Sequence, residues 1–182
     1  MKKYNSPKFL TISSLIIFAV LTRLLPHPAN FTPILAMALF GGAFYEDKRI
    51  AFALPFIAMF VSDIFIGFHN TMFFVYFGFL ISVFIGFYIR KSIGFRRVLF
   101  GALFSSVIFF LVTNLGSWLT DPMYKPLSIL SLINCYGLAL PFFRNQLAGD
   151  LIYSASLFGG FALAGKYLPV LSKSYATNLR KD

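Results

Sequence analysis

Charged side chains are scarce in this sequence. They make up 12% of the 182 residues, whereas hydrophobic residues make up 58%. A soluble globular domain carries about 25% charged residues. The mean hydropathy of +0.78 is consistent with the low proportion of charged residues in this chain. The composition therefore argues against an ordinary soluble domain. It predicts an all-α, polytopic membrane protein that forms a single helical domain over residues 1–182.

Residues and motifs that commonly carry chemistry are also few. Cys135 is the one cysteine, which excludes an internal disulfide. The two histidines belong to no His-Glu-x-x-His motif, and the sequence contains neither paired cysteines nor a Gly-x-Ser-x-Gly motif. It also lacks a nucleotide-binding motif. We therefore expect no enzyme activity, no metal and no cofactor, and any transport would draw its energy from outside the chain.

Long apolar runs, by contrast, are abundant. A membrane helix needs about 20 mainly apolar residues. Six stretches approach or meet this length: 9–25, 31–45, 50–68, 72–89, 97–119 and 145–166. The N-terminal run has no small-residue cleavage pattern, so we interpret it as an uncleaved first helix. The sequence thus predicts six transmembrane helices.

The stretch 120–144 is the longest one outside these predicted spans. We expect it to lie at one membrane face. Residues 127–133 (LSILSLI) are expected to form a short amphipathic helix. Residues 135–143 are then expected to form an interfacial or re-entrant piece before the last span.

Basic residues are distributed unevenly between the two sides of this topology. Of the 16 basic residues, only Arg23, Lys125 and Arg144 fall on the side that holds residues 120–144. The positive-inside rule then places both termini in the cytoplasm, and we expect the protein in the cell inner (cytoplasmic) membrane. The same bias explains the net charge of +10 without nucleic acid as a partner. Membrane lipid is the expected partner of the basic side.

Three charged residues fall within the predicted spans, where charge is costly. They are Arg23, Asp63 and Asp150, and a rise of about 1.5 Å per residue places all three in the outer half. One interpretation is a structural ion pair between Arg23 and either aspartate. The other is contact with a polar solute. The proline-containing segment 24–33 lies at the same level, where irregular backbone needs protein or water to satisfy its polar groups.

Amide, aromatic and basic residues are also concentrated in the outer half of the predicted helices and in the loops that adjoin it. The inner half has no comparable set. The asymmetry predicts a pocket open to the outside and argues against a continuous polar channel. The candidate ligand-binding residues are Arg23, His27, Asn30, Asp63, His69, Asn114, Trp118, Tyr136, Arg144, Asn145 and Asp150.

Several motifs resemble those of known families. The motifs at 23–33 (RLLPHPANFTP), 114–118 (NLGSW), 135–136 (CY), 141–145 (PFFRN) and 149–150 (GD) make the chain resemble a family of uncharacterised small bacterial membrane proteins provisionally described as transport proteins. This resemblance covers nearly the whole chain.

A more distant resemblance rests on residues 30–33 (NFTP), 39–42 (LFGG) and 62–63 (SD). These are similar to patterns in the substrate-binding S components of energy-coupling factor vitamin transporters. The resemblance implies six helices, an outward pocket for a vitamin or micronutrient, and a partner scaffold with ATPase subunits. The first span lacks the Ala-x-x-x-Ala-like stripe of those proteins, so a solitary uptake protein is an alternative.

The sequence thus predicts a membrane protein that binds a small solute for uptake. Two other functions stay open. The outer polar cluster is also compatible with an accessory or structural subunit of a larger membrane complex. A small membrane enzyme acting at the outer face is the second alternative.

Overall fold

The computed structural model describes residues 6–167, and all regular secondary structure in that range is helical. Six α-helices follow one another: α1 Pro7–Arg23, α2 Ile34–Phe44, α3 Lys48–Ile66, α4 Met72–Ile89, α5 Phe95–Thr120 and α6 Ile129–Tyr167. A 3-10 turn, Pro122–Tyr124, lies between α5 and α6. The predicted all-α class is confirmed.

The helices differ in whether they are long enough to cross a bilayer. Four of them, α3 to α6, are long and apolar enough to do so, which is compatible with a membrane protein. The 11 residues of α2 extend about 16 Å, roughly half of a hydrocarbon core of about 30 Å. The 17 residues of α1 extend about 25 Å. Six helices therefore occur where six were predicted, but only four of these reach spanning length.

The short helix α2 lies at the centre of the bundle. All of its residues are buried, and α2 contacts every other α-helix. Its close crossing with α4 depends on two glycines, because a Cβ on Gly42 would meet the Val83 carbonyl oxygen and lie 2.9 Å from the Cα of Gly86. An apolar helix without a polar face suits a position enclosed on all sides. This core fixes where the ends of α2 and α4 lie.

Helix α6 corrects the prediction for residues 120–144. Residues 129–144 are the first part of one 39-residue helix, about 58 Å long, so the separate amphipathic helix and the re-entrant piece were wrong. Pro141 lies inside this helix and removes one backbone N–H bond without ending it. Packing against α5 supports the preceding turns, since the Tyr136 hydroxyl donates to the Leu111 carbonyl at 2.7 Å.

The end of the bundle where α2 leads into α3 is closed by Arg90, at the end of α4. Its guanidinium donates to the Gly42 carbonyl at 2.7 Å and to the carbonyls of Tyr45 and Glu46, which the last turn of α2 and its link to α3 leave open. The hydroxyl of Tyr45 also lies 2.9 Å from that of Ser13 on α1. At this end the polar groups are used in packing.

Candidate functional site

A cavity of about 350 Å³ lies at the opposite end of α2 and α4. This volume falls within the range of small-molecule sites, about 300–1,000 Å³. Its wall combines the end of α1, the 24–33 segment, the starts of α2 and α4, and long faces of α5 and α6. The lining residues are Arg23, Asn30, Thr32, Ile34, Leu35, His69, Thr71, Val75, Phe109, Phe110, Thr113, Asn114, Ser117, Ala139, Phe142, Gln146 and Asp150.

The polar character of this cavity distinguishes it from a second depression of about 280 Å³ between α5 and α6. That depression is lined mainly by apolar side chains, with Ser154 as a polar exception. The first cavity, by contrast, combines hydroxyl, amide and charged groups with three phenylalanine rings. A few convergent polar groups on an apolar wall are typical of ligand sites, so the first cavity is the candidate functional site.

A buried ion pair lies at the edge of the cavity. Arg23, the last residue of α1, places Nη1 2.6 Å from Oδ1 of Asp63, and the same nitrogen donates to Ser62. The Tyr76 hydroxyl donates to the other carboxylate oxygen, Oδ2, at 2.7 Å. Asp63 is 2% exposed and does not itself line the cavity. The pair therefore joins α1, α3 and α4, and Arg23 is the member that faces the cavity.

The second buried carboxylate, Asp150 on α6, does line the cavity and is also 2% exposed. The Ser106 hydroxyl of α5 donates to its Oδ2 at 2.6 Å. Gln146, one turn earlier, donates its amide to the Ser106 carbonyl at 2.9 Å. Within residues 6–167, no basic side chain lies at ion-pair distance from Asp150. Its charge has no counterpart there.

The 24–33 segment packs against α6, where the Phe31 ring lies 5.7 Å from that of Tyr153 and two further contacts flank Asn30. The Asn145 amide donates to the Ala29 carbonyl at 3.1 Å. A Cβ on Gly149 would lie 3.2 Å from the Cα of Phe31, so glycine allows the two backbones to approach closely. Between these contacts Asn30 adopts φ 63, a left-handed conformation that asparagine tolerates better than most residues. These contacts place Asn30 and Thr32 at the cavity.

The structure brings five of the eleven predicted site residues to the cavity wall. They are Arg23, Asn30, His69, Asn114 and Asp150. His69 places Nδ1 2.8 Å from the Thr71 hydroxyl, which lines the same wall. The predicted site and the observed cavity thus share both of the charged residues that the cavity presents among residues 6–167.

The other six predicted residues are not part of the wall. Asp63 lies behind Arg23. The ring nitrogens of His27 lie 2.9 Å from the Pro28 carbonyl oxygen and 3.2 Å from that of Arg23. The Trp118 indole donates to Ser131 at 2.9 Å, while Tyr136 and Asn145 bond to backbone carbonyls. Arg144 is exposed. Except for Asp63 and Arg144, these residues secure loops and helix contacts around the cavity.

Sequence reasoning missed several polar residues of the site. Thr113 and Ser117 on α5 line the cavity, as does Gln146 on α6, and Ser106 supports Asp150. Helical spacing could have identified some of these residues, because residues four apart in a helix lie on the same face. Gln146 stands four before Asp150, and Ser117 stands four after Thr113.

The side chains of the cavity wall can form hydrogen bonds, ionic contacts and aromatic contacts with a molecule inside it. Across the described part of the chain, no group of three or more His, Cys, Asp or Glu residues could hold a metal ion. Cys135 is buried, and its thiol donates to the Asn114 carbonyl at 3.4 Å. The arrangement offers one uncompensated carboxylate, an arginine in an ion pair, amides, hydroxyls and aromatic rings.

Comparison with known proteins places the chain in a family. No curated protein and no solved structure matches it. Residues 3–171 match DUF6580, described as a family of unknown function. This match spans most of the 182 residues, and the chain therefore belongs to the DUF6580 family.

Proposed function

We propose that this chain is an integral membrane protein of a bacterial inner membrane that binds a small solute in the cavity for uptake. The observation that carries the proposal is the cavity itself, with its polar and aromatic wall and its buried Asp150. Small-molecule sites are typically concave, have a mainly apolar and aromatic wall, and contain a few convergent polar groups. The depression of about 280 Å³ that Ile93 and Gly94 help to line, just beyond Arg90, is mainly apolar and lacks a comparable set of polar groups.

The distribution of charge supports an outward orientation of the cavity. The connections at 24–33, 67–71 and 121–128 adjoin the cavity end and contain few basic residues. The connections on the other side contain Arg90 and Lys91, and Lys48 and Arg49 begin α3. By the positive-inside rule the cavity then faces outward, and both termini lie in the cytoplasm.

The shortness of α2 fits this arrangement in the membrane. A helix of about 16 Å leaves the 24–33 segment at membrane depth when the rest of the bundle spans the bilayer. Irregular backbone is tolerated there only against protein or a water-filled cavity. Asn30 and Thr32 of this segment line the cavity, and Gly149 lets the segment pack on α6.

Uptake would draw its energy from elsewhere, because the sequence has no nucleotide-binding motif. An S-component-like role, with a membrane scaffold and ATPase subunits as partners, is the form of uptake that the motifs at 30–33, 39–42 and 62–63 favour. A gradient-driven solitary protein is the other form. Both require the same first step, which is solute binding in the cavity.

A pair of matched variants tests this step without knowledge of the solute. Ala139 lines the cavity, whereas Ala148 is exposed on α6, and nine residues at 100° each place them on opposite faces. The wild-type protein, Ala139→Trp and Ala148→Trp are purified in detergent, and co-eluting metabolites are identified by mass spectrometry. We expect one near-stoichiometric small molecule in wild type and Ala148→Trp, and its loss in Ala139→Trp.

Other results would assign the chain elsewhere. An empty wild-type protein that consistently co-elutes with one larger partner favours a subunit role. A metabolite retained equally by Ala139→Trp does not occupy the cavity and contradicts the proposal. Turnover of an added compound that is lost in Ala139→Trp would indicate an enzyme at the outer face.

A further inference from the structure

The charges around the cavity are unequal, and this inequality constrains the solute. Arg23 lies 2.6 Å from Asp63, so these two charges compensate each other. Asp150 is the remaining charged group on the described part of the wall. Its contacts are a hydroxyl from Ser106 and neighbouring apolar and amide groups. When Asp63 behind the wall is counted with Arg23 and Asp150, these three residues carry one more negative charge than positive charges.

An isolated buried carboxylate is costly in a medium of low polarity. Such a carboxylate is either neutralised by a proton or compensated by a positively charged group of the ligand. The surroundings provide no internal cation, since Gln146 is neutral and its amide donates to the Ser106 carbonyl. A ligand with a positively charged nitrogen would remove this cost on binding, and the binding free energy would include that gain.

The shape of the cavity also favours an elongated, partly aromatic ligand. Ala139, Phe142, Gln146 and Asp150 all line it from one side of α6, and the 11 residue steps from Ala139 to Asp150 extend about 16 Å along the helix. Phe142 lies between the two ends of this row, and Phe109 and Phe110 line the cavity from α5. Aromatic faces attract cations as well as apolar rings. The hydroxyl and amide groups of Thr113, Asn114 and Ser117 line the α5 side.

We propose, on the basis of solute binding in this cavity, that the solute carries a protonated amine or cationic ring nitrogen, which Asp150 binds. An aromatic ring of the same solute packs between α5 and α6. An anionic solute is disfavoured, because it would add a further negative charge beside two aspartates and one arginine. A bound metal ion is also disfavoured, because residues 6–167 contain no group of three or more His, Cys, Asp or Glu side chains that could hold one.

Three indole compounds of similar size test the charge preference. Tryptamine carries an ammonium group, tryptophol a hydroxyl and indole-3-acetate a carboxylate, so the ring is held constant while the charge changes. Binding is measured by isothermal titration and by the shift in thermal unfolding of the purified, detergent-solubilised full chain. We expect wild type to bind tryptamine at least about tenfold more tightly than tryptophol, and indole-3-acetate most weakly.

Two variants assign this preference to a residue. Asp150→Asn keeps the shape and the acceptor oxygen but removes the charge, so the tryptamine-to-tryptophol ratio should fall to about one. Glu46→Gln removes one negative charge at the closed end, where Glu46 pairs with Lys8 at 3.0 Å, and should leave the ratio unchanged. Asp150→Glu, which retains the charge, serves as the second variant should Asp150→Asn fail to fold. It should retain a preference for tryptamine over tryptophol.

The outcomes separate this inference from the proposed function. Equal binding of tryptamine and tryptophol in wild type, or a preference that persists in Asp150→Asn, overturns the inference and leaves solute binding intact. If no indole compound binds, the charge of the molecule that co-purifies with wild type tests the inference instead. A cationic nitrogen supports the inference, and its absence contradicts it. An empty protein that binds no probe overturns both proposals.

Discussion

Asp63 and Asp150 are alike in burial and differ in what surrounds them. Each side chain is 2% exposed, and each accepts one hydroxyl, from Tyr76 at 2.7 Å and from Ser106 at 2.6 Å. Asp63 also lies 2.6 Å from Arg23 and is absent from the cavity wall. Asp150 lines the wall, and no basic residue of the described chain compensates its charge.

This difference separates two roles that a buried carboxylate can have. An aspartate that is paired inside the protein has its charge compensated before any ligand arrives, so its removal should mainly weaken the fold. An aspartate that is buried without a cation carries a cost in the folded state, so its removal should mainly affect binding. The comparison therefore predicts that substitution of Asp63 mainly lowers stability, whereas substitution of Asp150 mainly weakens ligand binding.

The largest expected effect is the loss of Asp63. In Asp63→Ala the Arg23 guanidinium stays buried without its partner, and breaking a buried pair in this way costs about 3–5 kcal/mol. The free energy of unfolding, measured by denaturant titration in detergent with circular dichroism, should fall by this amount. Glu46→Ala, which breaks the more exposed pair with Lys8, is the control and should cost less than about 1 kcal/mol.

Removing both partners distinguishes an uncompensated charge from lost packing. Replacement of a buried pair by apolar residues of similar volume is often neutral or stabilising. The double variant Arg23→Met with Asp63→Leu should therefore recover most of the loss seen in Asp63→Ala. If the double variant is as unstable as the single one, Asp63 contributes through shape rather than charge, and the comparison with Asp150 loses its basis.

The next effect concerns the hydroxyl that supports Asp63. Tyr76→Phe removes a hydrogen bond to a charged group, which is worth about 1.5–3 kcal/mol, and keeps the ring that packs against Phe56 with a centroid separation of 4.8 Å. The same unfolding titration measures the loss. A change below about 0.5 kcal/mol would mean that the Arg23 guanidinium alone compensates the Asp63 carboxylate.

Much of the fold was predictable because helix formation here follows local composition. The α4 bounds, Met72–Ile89, agree with the apolar run at 72–89. The α6 start was not predictable in this way, since residues 129–144 mix polar and apolar groups and their helix depends on bonds to α5 such as Tyr136 to Leu111. Tertiary packing overrides local preference there.

The depth of the candidate site along the helices was predictable from the sequence, but the contacts within the site were not. Depth along each helix placed Arg23, Asp63 and Asp150 near one another, since the rise per residue is constant. Which aspartate meets the arginine depends on how α1, α3 and α6 are rotated about their axes. That rotation arises from contacts distant in sequence, such as the approach of Phe31 to Gly149. The sequence therefore left both pairings open.

The smallest expected effect on stability is that of Asp150→Asn, and it completes the comparison. The amide oxygen of asparagine can still accept from the Ser106 hydroxyl, and the substitution removes a buried charge that no basic residue compensates, so the two changes oppose each other. We expect the free energy of unfolding to stay within about 1 kcal/mol of wild type, measured beside Asp63→Asn, which removes a compensated charge and should cost more. A loss in Asp150→Asn as large as that in Asp63→Asn would mean that Asp150 also has a structural cation in the folded protein. Its place on the cavity wall would then be a consequence of packing rather than of binding.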